Sequence, residues 1–437
     1  MLYRVSAFLG RQFAPDGGRC RRASPPRLAV LMELQVVREY LTLGLRMDRL
    51  LPGAVDAYTG PAQLRDEVAA EPLPDPGDLR SRAADLLAAV ADADLSPQRR
   101  EFLTAQLLAM RTTCARLAGE PVGFVAEVEA CFQTTIELGD QDVYAQAHRQ
   151  LRRLLPGLGS LRRKVARYRT GEEIPKESIA DCVRVLSADL RTRAAQRFGL
   201  PDGETVEYEI VDNRAWSGFN SYLGGYRSRV SLNVAQGHRV STLAHLVAHE
   251  AYPGHHTEHC RKEAGAIRVD GQWEQSMFVL NTPQCVVAEG LAELGVYAAV
   301  GPHWGPWASS LFASCGVSVD GELLEAVDLA STTLQAVRQD AMLMLHDRHV
   351  DEEDVVAYLS RWLLVPEFRA YRLLPFLTDP LWRAYTTTYV EGARLVRRWL
   401  AARGPVDLSA RYSRLLDEPL VPAALRAELT TTPSSLS

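Results

Sequence analysis

The spacing of apolar residues predicts helices over most of the chain. From residue 33 to about residue 200, apolar residues recur three and four positions apart, as they do on one face of an α-helix. Proline and glycine interrupt this pattern at 52–53, 73–77, 121–123 and 156–158, where we expect helices to end. The helical pattern resumes at "HRVSTLAHLVAHE" (238–250) and continues almost to the last residue.

Residues 205–234 carry a different pattern, which is typical of β-strands. "TVEYEIV" (205–211) alternates between apolar and polar residues and is rich in β-forming residues. "RVSLNV" (229–234) follows a predicted turn at Gly224 and Gly225. The expected fold class is therefore mainly α, a multi-helical architecture with a small β hairpin just before a histidine-rich segment.

Composition and charge argue against several classes of protein. The 437 residues are 47% hydrophobic and 24% charged, which is typical of a globular protein. The net charge of -5 argues against nucleic acid as the main partner, and no run of eighteen apolar residues predicts a membrane-spanning helix. Seven scattered cysteines do not resemble a disulfide framework, so a reducing cytoplasm fits best. The sequence does not indicate an oligomeric state.

The segment "AHEAYPGHHTEHC" (248–260) resembles a helical zinc motif with an insertion. In H-E-x-x-H, two histidines four residues apart share one face of a helix. Here the fourth residue after His249 is Pro253, and the next histidines are His255 and His256. Proline cannot continue the hydrogen bonds of a helix, and Gly254 relieves the backbone, so we expect the helix to break there. A histidine beyond the break could then swing back towards His249.

Two other interpretations of this segment stay open. His245 lies four residues before His249, so this pair alone has the spacing of a helical metal site, with Pro253 and Gly254 merely ending the helix. Alternatively, the segment is a polar cluster that holds no metal.

A zinc hydrolase also needs an acidic ligand and a base. Glu250, next to His249, is the natural base to take a proton from water. The segment "AEGLAELG" (288–295) offers Glu289 as the third ligand and, one helical turn later, Glu293. We expect Glu293 to accept the N–H of a ligating histidine and so fix its orientation.

"HEAYPGHH" together with the downstream "EGLAE" resembles the bacterial family called domain of unknown function 885. Its members carry H-E-x-x-P-G-H-H and later E-G-W-A, and they are regarded as gluzincin-like, related in layout to helical metallopeptidases such as neurolysin. "LPGAVDAYTGP" (51–61) is similar to a segment of one smaller subgroup. The resemblance covers about residues 33–400 and implies a zincin-like metallopeptidase architecture.

The resemblance also implies roles for individual residues. His249 and His255 match the family's zinc histidines, Glu289 its acidic ligand and Glu250 its general base, which leaves His256 as a substrate-binding or supporting group. Two departures are visible. Leu291 replaces the tryptophan of E-G-W-A, and "VPEFRAYRLLPF" (365–376) lacks the P-G-Q-A stretch of many members.

Further candidates come from outside the motif. Tyr385 and Tyr389 in "AYTTTYVEGARL" are four residues apart and could donate to an oxyanion, and Arg394 could bind a substrate carboxylate. Alternatively, the tyrosines are core residues and the arginine is solvated. The segment "GGYRSRVSLNV" (224–234) could add a substrate strand at its edge, or be a plain hairpin. We interpret His346 and His349 as surface residues.

The sequence therefore predicts a zinc-dependent metallopeptidase that acts on short peptides. The alternatives are a zinc-dependent hydrolase of a non-peptide amide and a non-catalytic protein with a vestigial zinc site. Residues 1–31 are expected to be a disordered extension without the features of a signal peptide. Residues 32–200 would form a helical N-terminal region, and residues 201–430 a zinc-site region packed against it as one unit.

Overall fold

The structure of the protein is a computed structural model that describes residues 27–212, 217–235, 237–402, 404 and 408–431. The described chain is mainly helical. Most of the predicted extension (1–31) lies outside the described residues, and the first helix already begins at Arg27. The tail "TTTPSSLS" (430–437) also falls largely outside the described residues, with its first two residues ending the last helix.

The first half of the chain is a series of helices separated where proline and glycine interrupt the apolar pattern. Asp75 and Ser96 accept hydrogen bonds from the amides at the start of the third and fourth helices, and a proline follows each cap at the first helical position. The helices are α1 (Arg27–Leu50), α2 (Ala62–Ala70), α3 (Pro76–Asp92), α4 (Pro97–Leu117), α5 (Phe124–Phe132), α6 (Gln141–Leu154), α7 (Leu161–Gly171) and α8 (Ile179–Phe198).

Two small sheets lie between and beside the helices. The strands are β1 (Val55–Tyr58), β2 (Thr205–Val211), β3 (Gly218–Tyr222), β4 (Arg227–Asn233) and β5 (Met277–Val279). β1 pairs with β5 in antiparallel fashion. The other sheet has the order β2-β4-β3, with β2 parallel to β4 and β3 antiparallel to it. Gly224 and Gly225 lie in the turn between β3 and β4, both at positive φ.

Helices resume after β4 and continue to residue 431. They are α9 (Val240–Glu250), α10 (His255–Lys262), α11 (Pro283–Glu293), α12 (Gly295–Ala299), α13 (Trp304–Ala313), α14 (Gly321–Ser331), α15 (Ala336–His346), α16 (Glu352–Leu363), α17 (Glu367–Tyr371), α18 (Leu374–Thr378), α19 (Thr386–Ala401), α20 (Leu408–Asp417) and α21 (Pro422–Thr431). Among the described residues, no helix is both long and apolar enough to span a membrane.

The buried apolar residues form two large clusters. The first joins α1–α7 to β5 and α15–α18, and the second joins α8, β4, α9, α12, α13 and α20, while α14 contributes residues to both. The boundary between these clusters does not coincide with the expected boundary at residue 200. α8 packs in the second cluster, while β5 and α15–α18 return to the first. The chain therefore crosses between the two clusters more than once.

Helices α11 and α19 belong to both clusters and cross each other between them. Val286 of α11 packs in the first cluster and Leu291 in the second; on α19, Val390 and Val396 are divided in the same way. At the crossing, a Cβ on Gly290 would collide with the carbonyl of Gly392, and a Cβ on Gly392 with the carbonyl of Val286. Only glycine allows the two backbones to approach this closely.

We expect Gly392→Ala to force these two helices apart. Overpacking of this kind typically lowers the free energy of unfolding by about 1–3 kcal/mol. Denaturant titration measures the effect, with Gly171→Ala as the matched control. Gly171 ends α7 with no atom near its added methyl group, so this exchange should leave stability unchanged or slightly raised. Equal stability of the two variants would contradict the proposed role of the crossing.

Candidate metal centre

The break after α9 folds the chain back so that the start of α10 lies beside the end of α9. α9 ends at Glu250 and α10 begins at His255, and the Tyr252–Pro253 peptide bond between them is cis. The amide of Gly254 donates to the carbonyl of Ala248 at 2.9 Å, and a Cβ on Gly254 would collide with the carbonyl of His249. Glycine is therefore required at position 254, because the backbone there passes too close to the end of α9 to leave room for a side chain.

This turn, together with α11, brings His249, His255 and Glu289 together. Their nearest donor atoms form a small triangle. The two Nε2 atoms are 3.1 Å apart, and Oε2 of Glu289 lies 3.1 Å from His249 and 3.6 Å from His255. Ligands about 2.0–2.1 Å from a tetrahedral zinc are about 3.3 Å from one another. The triangle therefore has the size that a zinc ion requires.

The electrostatics of the three groups also fit a cation. The side chains of His249, His255 and Glu289 are 12%, 14% and 6% exposed. Oε2 of Glu289 accepts no hydrogen bond from the described residues, although two imidazoles adjoin it. Burial alone would raise the pKa of Glu289, but the two imidazoles lower it below its usual range. Conversely, burial alone would lower the pKa of each histidine, but Glu289 and its acidic neighbours raise it. A buried carboxylate facing two imidazole nitrogens is a typical donor set for zinc.

Carboxylates also lie behind the two histidines. Nδ1 of His249 is 3.5 Å from Glu293, and Nδ1 of His255 is 3.9 Å from Glu258. Such partners favour a proton on Nδ1 and leave Nε2 free to bind a metal. Glu293 was predicted for this role and Glu258 was not, although the position of Glu258 three residues after His255 places it within reach on the same helix.

A cleft opens onto this cluster. Its walls combine the polar groups of the cluster with apolar side chains, and they are formed by Asp56, Phe219, Asn220, Glu250, His255, His259, Phe278, Leu280, Glu289, Trp382 and Tyr385. Burial and the nearby carboxylates raise the pKa of Glu250, although the two histidines oppose this.

The two candidate tyrosines have different contacts. Tyr385 lies in the turn just before α19, and its hydroxyl donates to Oε1 of Glu289 at 2.8 Å. Tyr389 lies within α19, with its ring centroid 6.1 Å from that of His249. Among the described residues, no hydrogen bond partner of the Tyr389 hydroxyl is found, so its proton is available to another group.

The structure does not bring His256 to the cluster. Its side chain is fully buried, with Nε2 2.9 Å from Glu204 and Nδ1 2.8 Å from Ser228. Tyr252 also donates to Glu204, at 2.6 Å. The described residues that line the cleft do not include His256. The second histidine of the pair instead anchors the turn between α9 and α10 to β4 and to the loop before β2.

The remaining histidine and arginine candidates also lie away from the cluster. His245 is 3.4 Å from Asp328 and does not join the three ligands, so the rival pair His245 and His249 is not assembled. The side chain of Arg394 is 54% exposed and pairs with Glu391 at 2.7 Å. His349 is exposed, and His346 is half-buried, with its Nε2 2.7 Å from the carbonyl of Leu377 and its ring packed on Phe124.

The edge of the three-stranded sheet differs from the prediction. Of the two interpretations of the segment "GGYRSRVSLNV", a free edge does not hold for β4, which is the central strand and pairs on both sides. β2 and β3 are the edge strands, and Phe219 and Asn220 of β3 line the cleft. The side-chain amide of Asn220 donates to the carbonyl of Glu250 at 2.6 Å, which ties β3 to the end of α9.

Comparisons with known proteins give only distant similarities. No known family model matches the chain, and no protein of curated function does. A candidate lipoprotein from Colwellia psychrerythraea has a TM-score of 0.47 at 16% identity, over 80% of this chain and 65% of that one. A candidate lipoprotein of unknown function from Shewanella oneidensis has a TM-score of 0.46 at 14% identity, over 84% and 76%. An M32 carboxypeptidase from Deinococcus radiodurans R1 has a TM-score of 0.39 at 15% identity, over 93% and 96%. The chain thus spans less than two thirds of the Colwellia protein. Because these similarities are distant, the function is inferred from the residues of the site itself.

We expect the two adjacent histidines to differ in their effect on bound metal. His255→Ala removes one corner of the triangle and should abolish stoichiometric zinc binding. His256→Asn should keep the zinc but lower stability, because it disturbs the buried contact with Glu204. Elemental mass spectrometry of the purified variants, with thermal unfolding in parallel, measures both effects. Loss of zinc in the His256 variant alone would refute this ligand set.

Proposed function

We propose that the protein is a zinc-dependent hydrolase, and specifically a metallopeptidase acting on short peptides. The triangle of His249, His255 and Glu289 carries this proposal, because its donor atoms lie 3.1–3.6 Å apart with Glu250 adjacent in sequence and facing the same cleft. The resemblance to the family called domain of unknown function 885, and a zincin-like architecture around the site, belong to the same proposal.

A zinc ion held by these three residues would supply a Lewis acid that polarises a carbonyl and lowers the pKa of water. Glu250 lines the cleft, and no hydrogen bond of its carboxylate to another described residue is found, so the carboxylate is free to act as a base. In this proposal Glu250 takes a proton from the attacking water and then gives it to the leaving amine. Burial of Glu250 favours this role, because it raises the pKa of the carboxyl group towards neutral pH, where such a group both accepts and releases a proton readily.

Peptide binding is supported by the edge strand β3. Strands β3 and β4 are antiparallel, and the N–H of Leu223 donates to the carbonyl of Arg227. In an antiparallel pair every second residue bonds the partner strand, so the N–H and C=O groups of Gly218, Asn220 and Tyr222 point away from β4. The backbone of Asn220 therefore faces the open edge, beside the cleft. An extended peptide could pair there while its scissile carbonyl reaches the metal ligands.

The base is tested by Glu250→Gln, which keeps the size of the side chain and removes its ability to take a proton. We expect unchanged zinc content and a loss of peptide hydrolysis of about 10²–10⁴-fold. A panel of short peptides, assayed by separation of the products, measures hydrolysis. Glu137→Gln, at an exposed position, is the matched control and should keep full activity. An active Glu250→Gln protein would show that this carboxylate is not the base.

We expect Tyr385 to position the metal ligand Glu289 and Tyr389 to act directly in catalysis. Tyr385→Phe removes the hydrogen bond to Glu289 and should weaken zinc binding, by up to about 10–100-fold as for other supporting contacts. Tyr389→Phe should leave zinc affinity unchanged and lower kcat by about 10²–10³-fold, as expected for loss of an oxyanion donor. Zinc titration with a competing chelator and steady-state kinetics distinguish these effects. The reverse pattern would exchange the two assignments.

A further inference from the structure

Strand β1 contains an irregularity that turns one acidic residue out of the ladder. Val55 pairs with Val279 and Ala57 pairs with Phe278, so two steps along β1 correspond to one step along β5. Asp56 is the extra residue of this β-bulge. Bulges of this kind re-aim a side chain, and they are frequent beside active sites.

The carboxylate of Asp56 lines the cleft of the candidate metal centre. Neither a hydrogen bond nor an ion pair of this side chain is found among the residues that the structure describes. Burial raises the pKa of Asp56 to about 7; His255 opposes this shift, and the carboxylates of Glu289 and Glu250 add to it. A partly buried carboxylate without a partner, facing two further carboxylates, is stabilised by a cation.

The metal itself does not account for Asp56. In the described chain, the group of ligand atoms that lie within 4.8 Å of one another contains His249, His255 and Glu289, but not Asp56. The proposed hydrolysis also leaves Asp56 without a role, because Glu250 already serves as the base. The cation that Asp56 would bind is therefore a part of the ligand in the cleft.

A second acceptor lines the same cleft. Asn220 is 6% exposed, and its side-chain N–H group donates to the carbonyl of Glu250, which fixes the orientation of the amide. Its Oδ1 is buried and has no partner among the described residues. Asp56 and Asn220 thus both present unpaired acceptors, while a protonated amine has three donors and no acceptor.

The apolar walls of the cleft are compatible with the same ligand. Phe219, Phe278 and Trp382 supply aromatic rings, which attract cations through their faces. Of the described residues that line the cleft, none is a lysine or an arginine. A ligand carboxylate would therefore find no lysine or arginine partner in this cleft, whereas an ammonium group would find the carboxylate of Asp56.

We propose that Asp56, together with Oδ1 of Asn220, binds a protonated amino group of the substrate and selects substrates that carry one beside the scissile bond. This inference rests on the proposed hydrolytic function, because it assigns the substrate class of the same site. The ammonium is either the free N-terminus of a short peptide or the side chain of a lysine. Both supply the same chemistry to Asp56.

Binding of matched hydroxamic acids to the zinc-loaded protein tests this without relying on turnover. Leucine hydroxamic acid carries the amino group, 4-methylpentanohydroxamic acid lacks only that group, and Nα-acetyl-lysine hydroxamic acid keeps only a side-chain ammonium. Titration calorimetry measures each dissociation constant for wild type, Asp56→Asn and Asp66→Asn. Asp66 lies exposed on α2, so its exchange removes the same charge at a distance from the cleft.

In the wild type, at least one amine-bearing ligand should bind about 10–100-fold tighter than 4-methylpentanohydroxamic acid, as expected for a hydrogen-bonded charge. Asp56→Asn should remove most of this preference, and Asp66→Asn should keep it. A preference for leucine hydroxamic acid identifies the N-terminus as the source, and a preference for the acetyl-lysine compound identifies a basic side chain.

Three outcomes would overturn the inference, and they separate it from the proposed function. Equal binding of all three compounds to the wild type refutes amine recognition while leaving the zinc site intact. An undiminished preference in Asp56→Asn refutes the role of Asp56. Failure of every hydroxamic acid to bind the zinc-loaded protein refutes the zinc hydrolase itself, and the amine inference with it. Asparagine has nearly the shape of aspartate, and no described residue loses a contact with the Asp56 carboxylate, so the variant should fold normally.

Discussion

The buried carboxylate of Glu289 is the constraint on which the surrounding structure depends. It lies almost out of contact with water, against two imidazoles and the hydroxyl of Tyr385. A charge in this position is stable only if its partners are held closely in place. α11 supplies the carboxylate, and α11 also spans both apolar clusters through its glycine contact with α19. The position of the charge is therefore fixed by a helix that packs in both apolar clusters.

The turn between α9 and α10 explains how two ligands six positions apart in the sequence come together. On an undistorted helix, His255 would point away from His249. The break removes this restriction, and Gly254 permits the backbone to return. Tyr252 and His256, on either side of the break, both bond Glu204. The two adjacent histidines thus have separate functions: the first faces the cleft and the second holds the turn.

The site as a whole has an excess of negative charge. Glu250, Glu289 and Glu293 adjoin the two histidines, and Asp56 adds a further carboxylate at the wall of the cleft, whereas Glu258 is already paired with Lys262 at 2.6 Å. Two kinds of cation would balance this charge in our proposals: a zinc ion between the three ligands and an ammonium group on the substrate. The ammonium group and the zinc ion are proposed for the same reason, because buried carboxylates require positive partners.

The sequence by itself determined the helices, the strand-forming segment and the position of the helix break, because these depend on local periodicity and on proline and glycine. It also named Glu250, Glu289, Glu293 and both candidate histidines. Only the tertiary structure shows that His255 lies beside His249 and Glu289 while His256 contacts Glu204 and Ser228, because these contacts join elements that are distant in the sequence. It alone placed Asp56 in the cleft and Arg394 outside it. Sequence spacing specifies neighbours along one element, whereas the approach of distant elements is set by how their apolar faces pack.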